Sequence, residues 1–127
     1  MLRQIINYLF FGLLISSCTN IFEKEHRISD KYFVSKDPAG NFYSLDYNLS
    51  DGNAILRVAN VKRAGEIKGF IIVETEYNEF YIFNSKKDSI YYNSPDIIGN
   101  PKTNREYLKF LDSLKVDDFE FKFSLDK

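Results

Sequence analysis

Glu74 and Glu76 stand two residues apart in a strand-like run, so their side chains leave the same face. Glu79 follows across a short Tyr77-Asn78 turn. Carboxylates gathered this way could bind a cation or push one another's pKa upward. Acid/base catalysis also needs a further polar group aimed at the same reacting atom, and none is nearby. The trio therefore reads as the solvated end of a hairpin, where charge blocks edge-to-edge pairing. His26, the single histidine, sits in a polar N-terminal stretch with nothing to hold it as a base. That placement argues against Ser–His and Cys–His nucleophilic pairs, and the sequence has no His/Cys metal cluster. Asp51-Gly52-Asn53 resembles a fragment of a calcium loop without the remaining ligand spacing. The six glycines fall at turns and strand starts and form no phosphate loop. The expectation is a protein that is not an enzyme, with no catalytic residue, cofactor or metal.

Cys18 is the one other reactive side chain and the only cysteine. Before it come a single charge at Arg3, an 11-residue apolar run from Ile5 to Ile15, and the small residues Ser16 and Ser17. A helix of that length rises about 16 Å at ~1.5 Å per residue. A bilayer core of roughly 30 Å needs about 20 apolar residues. The run suits a cleaved secretory signal rather than a permanent span. Ile15-Ser16-Ser17-Cys18 is similar to a bacterial lipobox, which implies cleavage between Ser17 and Cys18 and a diacylglycerol thioether on the Cys18 sulfur. Further acylation, such as a palmitate, would fall on the new amine. Two or three chains, at ~0.8 kcal/mol per buried CH₂, make a stable anchor where one would not. With its thiol consumed, the mature chain can form neither a disulfide nor a thiolate metal site. By the same resemblance, Thr19 after the cysteine favours the outer membrane, on its periplasmic face or at the cell surface.

Residues 1–17 are thus read as signal, 18–29 as a lipidated tether and 30–127 as a single α+β domain. Arg3 leaves with the signal, so the 17 basic and 18 acidic side chains of the full chain become a net −2. That balance gives no electrostatic case for nucleic acid. Lys62-Arg63 and Lys86-Lys87 are two-residue basic spots that decorate turns. Eight Tyr and ten Phe remain after cleavage, a large aromatic payload for a small core without disulfides. Not all the tyrosines fit inside, and tyrosine offers large contact area at low entropy cost. Tyr77, Tyr81, Tyr91 and Tyr92 are the candidate contact surface.

The elements that would position these residues are mostly strands. Tyr32-Phe33-Val34 and Asn41 to Leu49 favour β-structure, and Asp51-Gly52-Asn53 is a strong turn. Ala54 to Val61 reads as a third strand with Leu56 and Val58 buried, and Ala64-Gly65-Glu66 with Gly69 as the next connection. Phe70 to Val73 and Phe80 to Phe83 form a hairpin apolar on both faces, which predicts a central place with a helix over one face. Ser85-Lys86-Lys87-Asp88 closes it with charge, and Tyr91-Tyr92 covers a core edge or adds a short strand. Thr103 and Glu106 form a capping box before a helix at about 104–114, whose stripe is Tyr107, Phe110, Leu111 and Leu114. Phe119, Phe121, Phe123 and Leu125 alternate with polar residues and predict a final strand. The expected fold is a mostly antiparallel sheet of five to seven strands with one C-terminal helix followed by that strand.

The stretch from Phe70 to Leu114, with its "FYIF" strand, its Ile97-Ile98-Gly99-Asn100-Pro101 link and its Thr-capped helix bearing Glu106-Tyr107 and Leu111, resembles a family of small bacterial lipoproteins of unknown function. The resemblance implies a strand–strand–helix–strand ending behind a lipobox, and no activity. The expected role is a membrane-anchored envelope lipoprotein that binds a protein or peptide without catalysis. Alternatives are a periplasmic immunity or inhibitor lipoprotein, and a small-ligand carrier with an aromatic-lined cavity.

Overall fold

The computed structural model describes residues 25–49, 51–89 and 91–126. Ser17, Cys18, the signal and most of the tether lie outside them. Among the described residues, eight antiparallel strands divide between two four-stranded sheets. The first sheet has the order β1-β2-β3-β4, from His26–Arg27, Tyr32–Lys36, Tyr43–Asn48 and Ala54–Val58. The second has the order β7-β6-β5-β8, from Val61–Ile67 (β5), Phe70–Thr75 (β6), Phe80–Asn84 (β7) and Phe123–Ser124 (β8). The described residues add α-helices at Ser94–Ile98 (α1) and, longer, at Asn104–Ser113 (α2). The fold is α+β and mostly β, but the expected single sheet is two.

The division arises at Asn60. The expected strand from Ala54 to Val61 stops at Val58, and Asn60 takes a left-handed φ of 56° before β5 begins. Asparagine tolerates that region better than most residues. The main-chain N–H of Glu76 donates to the Asn60 carbonyl and fixes the corner. Ala64-Gly65-Glu66, expected as a connection, lies inside β5. The actual β5–β6 turn is Lys68-Gly69, both at positive φ, as a tight hairpin requires. Tyr77-Asn78 turns as expected, with Asn78 at φ 62°.

Ile28, Tyr32, Val34, Leu45, Tyr47 and Val58 from the first sheet meet Val61, Ala64, Ile71, Val73 and Phe83 from the second to form the main core. The opposite face of the second sheet carries Ile72 and Phe80, which pack with Tyr107 and Leu111 of α2. The molecule therefore has three layers, sheet, sheet and helix. The apolar hairpin is explained: β6 is interior and covered on both faces, although β7 is an edge strand. The capping box of α2 is present in full, with Thr103 Oγ1 accepting from Glu106 N and the Glu106 side chain accepting from Thr103 N. Phe80 and Tyr107 stack face to face at 4.3 Å between centroids.

Two expectations near the termini change. Ile28, read as tether, is fully buried, and β1 pairs with β2, so the fold takes in residues before Asp30. The predicted strand from Phe119 to Leu125 shrinks to Phe123–Ser124. Period-two alternation would send Phe119, Phe121 and Phe123 to one face. Instead Phe119 and Phe121 join the helix-side core and Phe123 enters the core between the sheets. The chain crosses β5 closely to do so, with Phe119 Cζ 2.7 Å from where a Gly65 Cβ would lie.

Candidate functional site

The three glutamates do not form a cluster. Glu74 is buried, and Arg63 donates to both its oxygens, Nε to Oε1 at 2.9 Å and Nη2 to Oε2 at 3.2 Å. The Arg63 guanidinium also lies over the Phe121 ring, 4.2 Å from its centroid. Lys62 Nζ is 4.0 Å from the same carboxylate. Glu74 is thus a neutralised structural group rather than a hairpin-end charge. Glu76 and Glu79 are exposed beyond it. His26 is exposed on β1, its ring 5.0 Å from that of Phe123. Asp51 closes its turn by accepting from the backbone and side chain of Asn53, which lowers its pKa. Among the described residues no group of three or more His, Cys, Asp or Glu could hold a metal ion. Among them, too, no helix is long and apolar enough to cross a membrane.

A buried polar knot, unanticipated from sequence, supports the surface that carries the tyrosines. A bulge in β4 opposite Leu45 and Asp46 breaks the alternation of that strand. Leu56, expected inside, is half exposed, while Arg57 and Val58 both turn inward. The Arg57 Nε donates to Asp88 Oδ2 at 3.0 Å and Nη2 to Oδ1 at 2.5 Å. Nη2 also donates to the Ser89 carbonyl, and Nη1 to the Tyr92 carbonyl and Ser94 Oγ. All five guanidinium N–H groups are used. Ser94 Oγ in turn donates to the Leu56 carbonyl. Tyr32 Oη donates to Asp88 Oδ2, and burial, reinforced by that carboxylate, raises the phenol well above its ordinary pKa. Asp88, expected as a solvated turn charge, has a side chain with no exposed surface. The sequence signal was a lone arginine inside the apolar run Ile55-Leu56-Arg57-Val58-Ala59, which demands a buried acid but does not say which one.

This knot pins Asp88, Ser89, Tyr92 and Ser94 to β4, and α1 begins at Ser94. α1 packs against both β4 and β7, with Ile97 and Ile98 touching the main core. The four candidate tyrosines fall into two clefts that share α1 as a wall. Tyr91 and Tyr92 line one of about 600 Å³ with Lys86, Lys87, Asp96 and Ile97. Tyr77 and Tyr81 line one of about 290 Å³ with Glu79 and Ile98. Tyr91 is 88% exposed, Tyr77 69% and Tyr92 52%. Tyr81 is partly buried and packs on the core, so it serves structure more than surface. Tyr91 and Tyr92 form no strand and cover no core edge; they stand in a turn before α1.

No family model, curated protein or solved structure matches this chain.

Proposed function

We propose that this chain is a lipid-anchored protein of the bacterial envelope whose folded part is a non-enzymatic binding module for a protein or peptide. The anchor rests on the lipobox-like run ending at Cys18. The observation that carries the binding role is the exposure of Tyr77, Tyr91 and Tyr92 beside α1, with the Ser89 and Tyr92 carbonyls held by the Arg57 knot. Large aromatic rings on pre-ordered backbone lose little entropy on binding. A water-exposed ring held this way has no packing role to explain it. An inhibitor or immunity protein would use the same surface, with a toxin or hydrolase as the partner. Ligand carriage is less well supported, because the inner faces of the sheets meet through Tyr32, Tyr47 and Phe83 rather than around a space.

The test is capture from the native envelope by the lipidated protein, with Cys18→Ala and Tyr91→Ala/Tyr92→Ala alongside. A stoichiometric protein retained by wild type and lost with the tyrosine pair is the expected result. Equal retention by the tyrosine variant would remove this surface as the contact.

A further inference from the structure

Three parts of the fold close on the tip of the β6–β7 hairpin. Thr75 N donates to the Glu79 carbonyl, and Val73 pairs with Tyr81. Alternation along the two strands sends the Thr75, Glu79 and Tyr81 side chains to one face, the face on which Val73 meets the first sheet. The corner at Asn60 forms the second side, held to the hairpin by the bond from Glu76 N to the Asn60 carbonyl. α1 supplies Ile98 as the third. The result is the cleft of about 290 Å³ lined by Tyr77, Tyr81, Glu79 and Ile98. Its tip is ordered before any ligand arrives, since Asn78 N donates to the Thr75 carbonyl and Tyr77 N to Thr75 Oγ1.

The charge in this cleft is one-sided. Glu79 is exposed, and none of the ion pairs among the described residues involves it. Arg57 borders the cleft, but its side chain has no exposed surface and its charge is held by Asp88. Glu76, also exposed, adds negative charge one residue before Tyr77. The Tyr91–Tyr92 cleft, which shares α1 as a wall, has the opposite balance, with Lys86 and Lys87 against Asp96. A cation approaching this side of the molecule is therefore drawn to Glu79 and repelled from its neighbour.

The lining also selects the kind of cation. A hard metal ion needs several oxygen ligands, and the cleft offers one free carboxylate. An organic cation needs less: one carboxylate for its charge, and aromatic faces whose electron-rich centres attract what remains. Tyr77 and Tyr81 supply those rings. The volume lies just under the roughly 300–1,000 Å³ of whole small-molecule sites, which suits one inserted side chain. Resting on the binding-module reading above, we infer that the Tyr77, Tyr81 and Glu79 cleft receives a basic side chain of the partner protein, a lysine ammonium or an arginine guanidinium. Glu79 sets the charge of that side chain, and the two tyrosines enclose its stem.

The test uses the full-length protein in neutral detergent and fluorescein-labelled hexalysine, hexaglutamate and hexaserine as probes, read by fluorescence anisotropy. Salt is held at roughly 0.15 M, where charges more than about 8 Å away are screened. Hexalysine is expected to bind in preference to the other two. Glu79→Gln and Tyr77→Ala should each weaken it about two- to five-fold, and the double variant about ten-fold. Glu120→Gln, which removes the same charge from an exposed position on the C-terminal segment, should leave it unchanged. Absence of hexalysine binding, a preference for hexaglutamate, or equal weakening by Glu120→Gln overturns the site. The binding-module reading fails separately, on envelope capture. A partner retained equally by wild type and by the Tyr77→Ala/Glu79→Gln protein overturns the basic side chain and leaves that reading intact.

Discussion

Arg57 and Asp88, 31 residues apart in sequence, meet through two hydrogen bonds with neither side chain exposed. A strand bulge supplies one partner and the segment after β7 the other, so the pair joins the first sheet to the polypeptide that leaves the second. Removing one charge strands the other in a site of low polarity. Arg57→Met is expected to destabilise the domain by about 3–5 kcal/mol in urea unfolding. Arg57→Met/Asp88→Asn should cost clearly less than the two single changes added together. Arg57→Lys should rescue little, since one ammonium cannot reproduce five planar donors. A single-variant loss below about 1 kcal/mol would mean that water reaches the pair.

Asp46 gives a pH dependence with a definite sign. Burial raises its carboxyl above the ordinary value of 3.8, and the hydrogen bonds from Ser35 and Ser44 only partly offset this. The native state therefore holds the proton more tightly than the unfolded chain. Asp46 costs nothing below the unfolded pKa, and stability falls as pH rises from there through the raised native value. Asp46→Asn should be more stable than wild type at neutral pH, with the difference closing at about pH 4 and below. Urea midpoints across that range measure it, and an Asp46→Asn protein less stable at neutral pH would reverse the sign.

Gly65 tests the crossing of the C-terminal segment. An added methyl would meet Phe119 Cζ at 2.7 Å and the Phe121 Cα at 3.3 Å. Gly65→Ala should cost about 1–3 kcal/mol, as overpacking does. Phe119→Leu in the same background should recover part of the loss, since the nearest offending atom is then gone. A neutral Gly65→Ala would show that Phe119 swings aside freely.

Tyr91 and Tyr92 should separate stability from binding. Tyr91→Ala is expected to stay within about 0.5 kcal/mol of wild type, as exposed positions do. Thr103→Ala, which removes a helix cap and nothing at the tyrosine surface, should cost about 1 kcal/mol and leave partner capture unchanged. Unfolding and capture measured on both variants form the comparison. A large stability loss at Tyr91 would make it a structural residue.

Local signals in the sequence were the readable ones. The Thr103/Glu106 box, the Tyr77-Asn78 turn and the doubly apolar β6 all depend on neighbours a few residues apart. Division into two sheets was not readable, because it turns on one left-handed Asn60 inside a continuous strand pattern. The C-terminal alternation misled because Phe119 and Phe121 go to the helix side while Phe123 goes between the sheets. Of the candidate surface, exposure was foreseen for Tyr77, Tyr91 and Tyr92, but not the buried arginine beneath it. Asp88 and Glu74 look like solvent charges until their arginines are placed, and those arginines come from other strands.

β6 contributes Ile71 and Val73 to one core and Ile72 to the other. Neither core can be opened without baring this strand, and neither can keep its packing once the strand leaves. The two cores are therefore one cooperative unit with β6 as the shared wall. Its amide protons should exchange with deuterium only through complete unfolding, at the full free energy of the domain. Amides of the Tyr91–Ile98 edge, joined to the rest by one polar knot and two isoleucines, should exchange through a smaller opening. A protein built this way can loosen the rim that meets its partner while its interior stays closed.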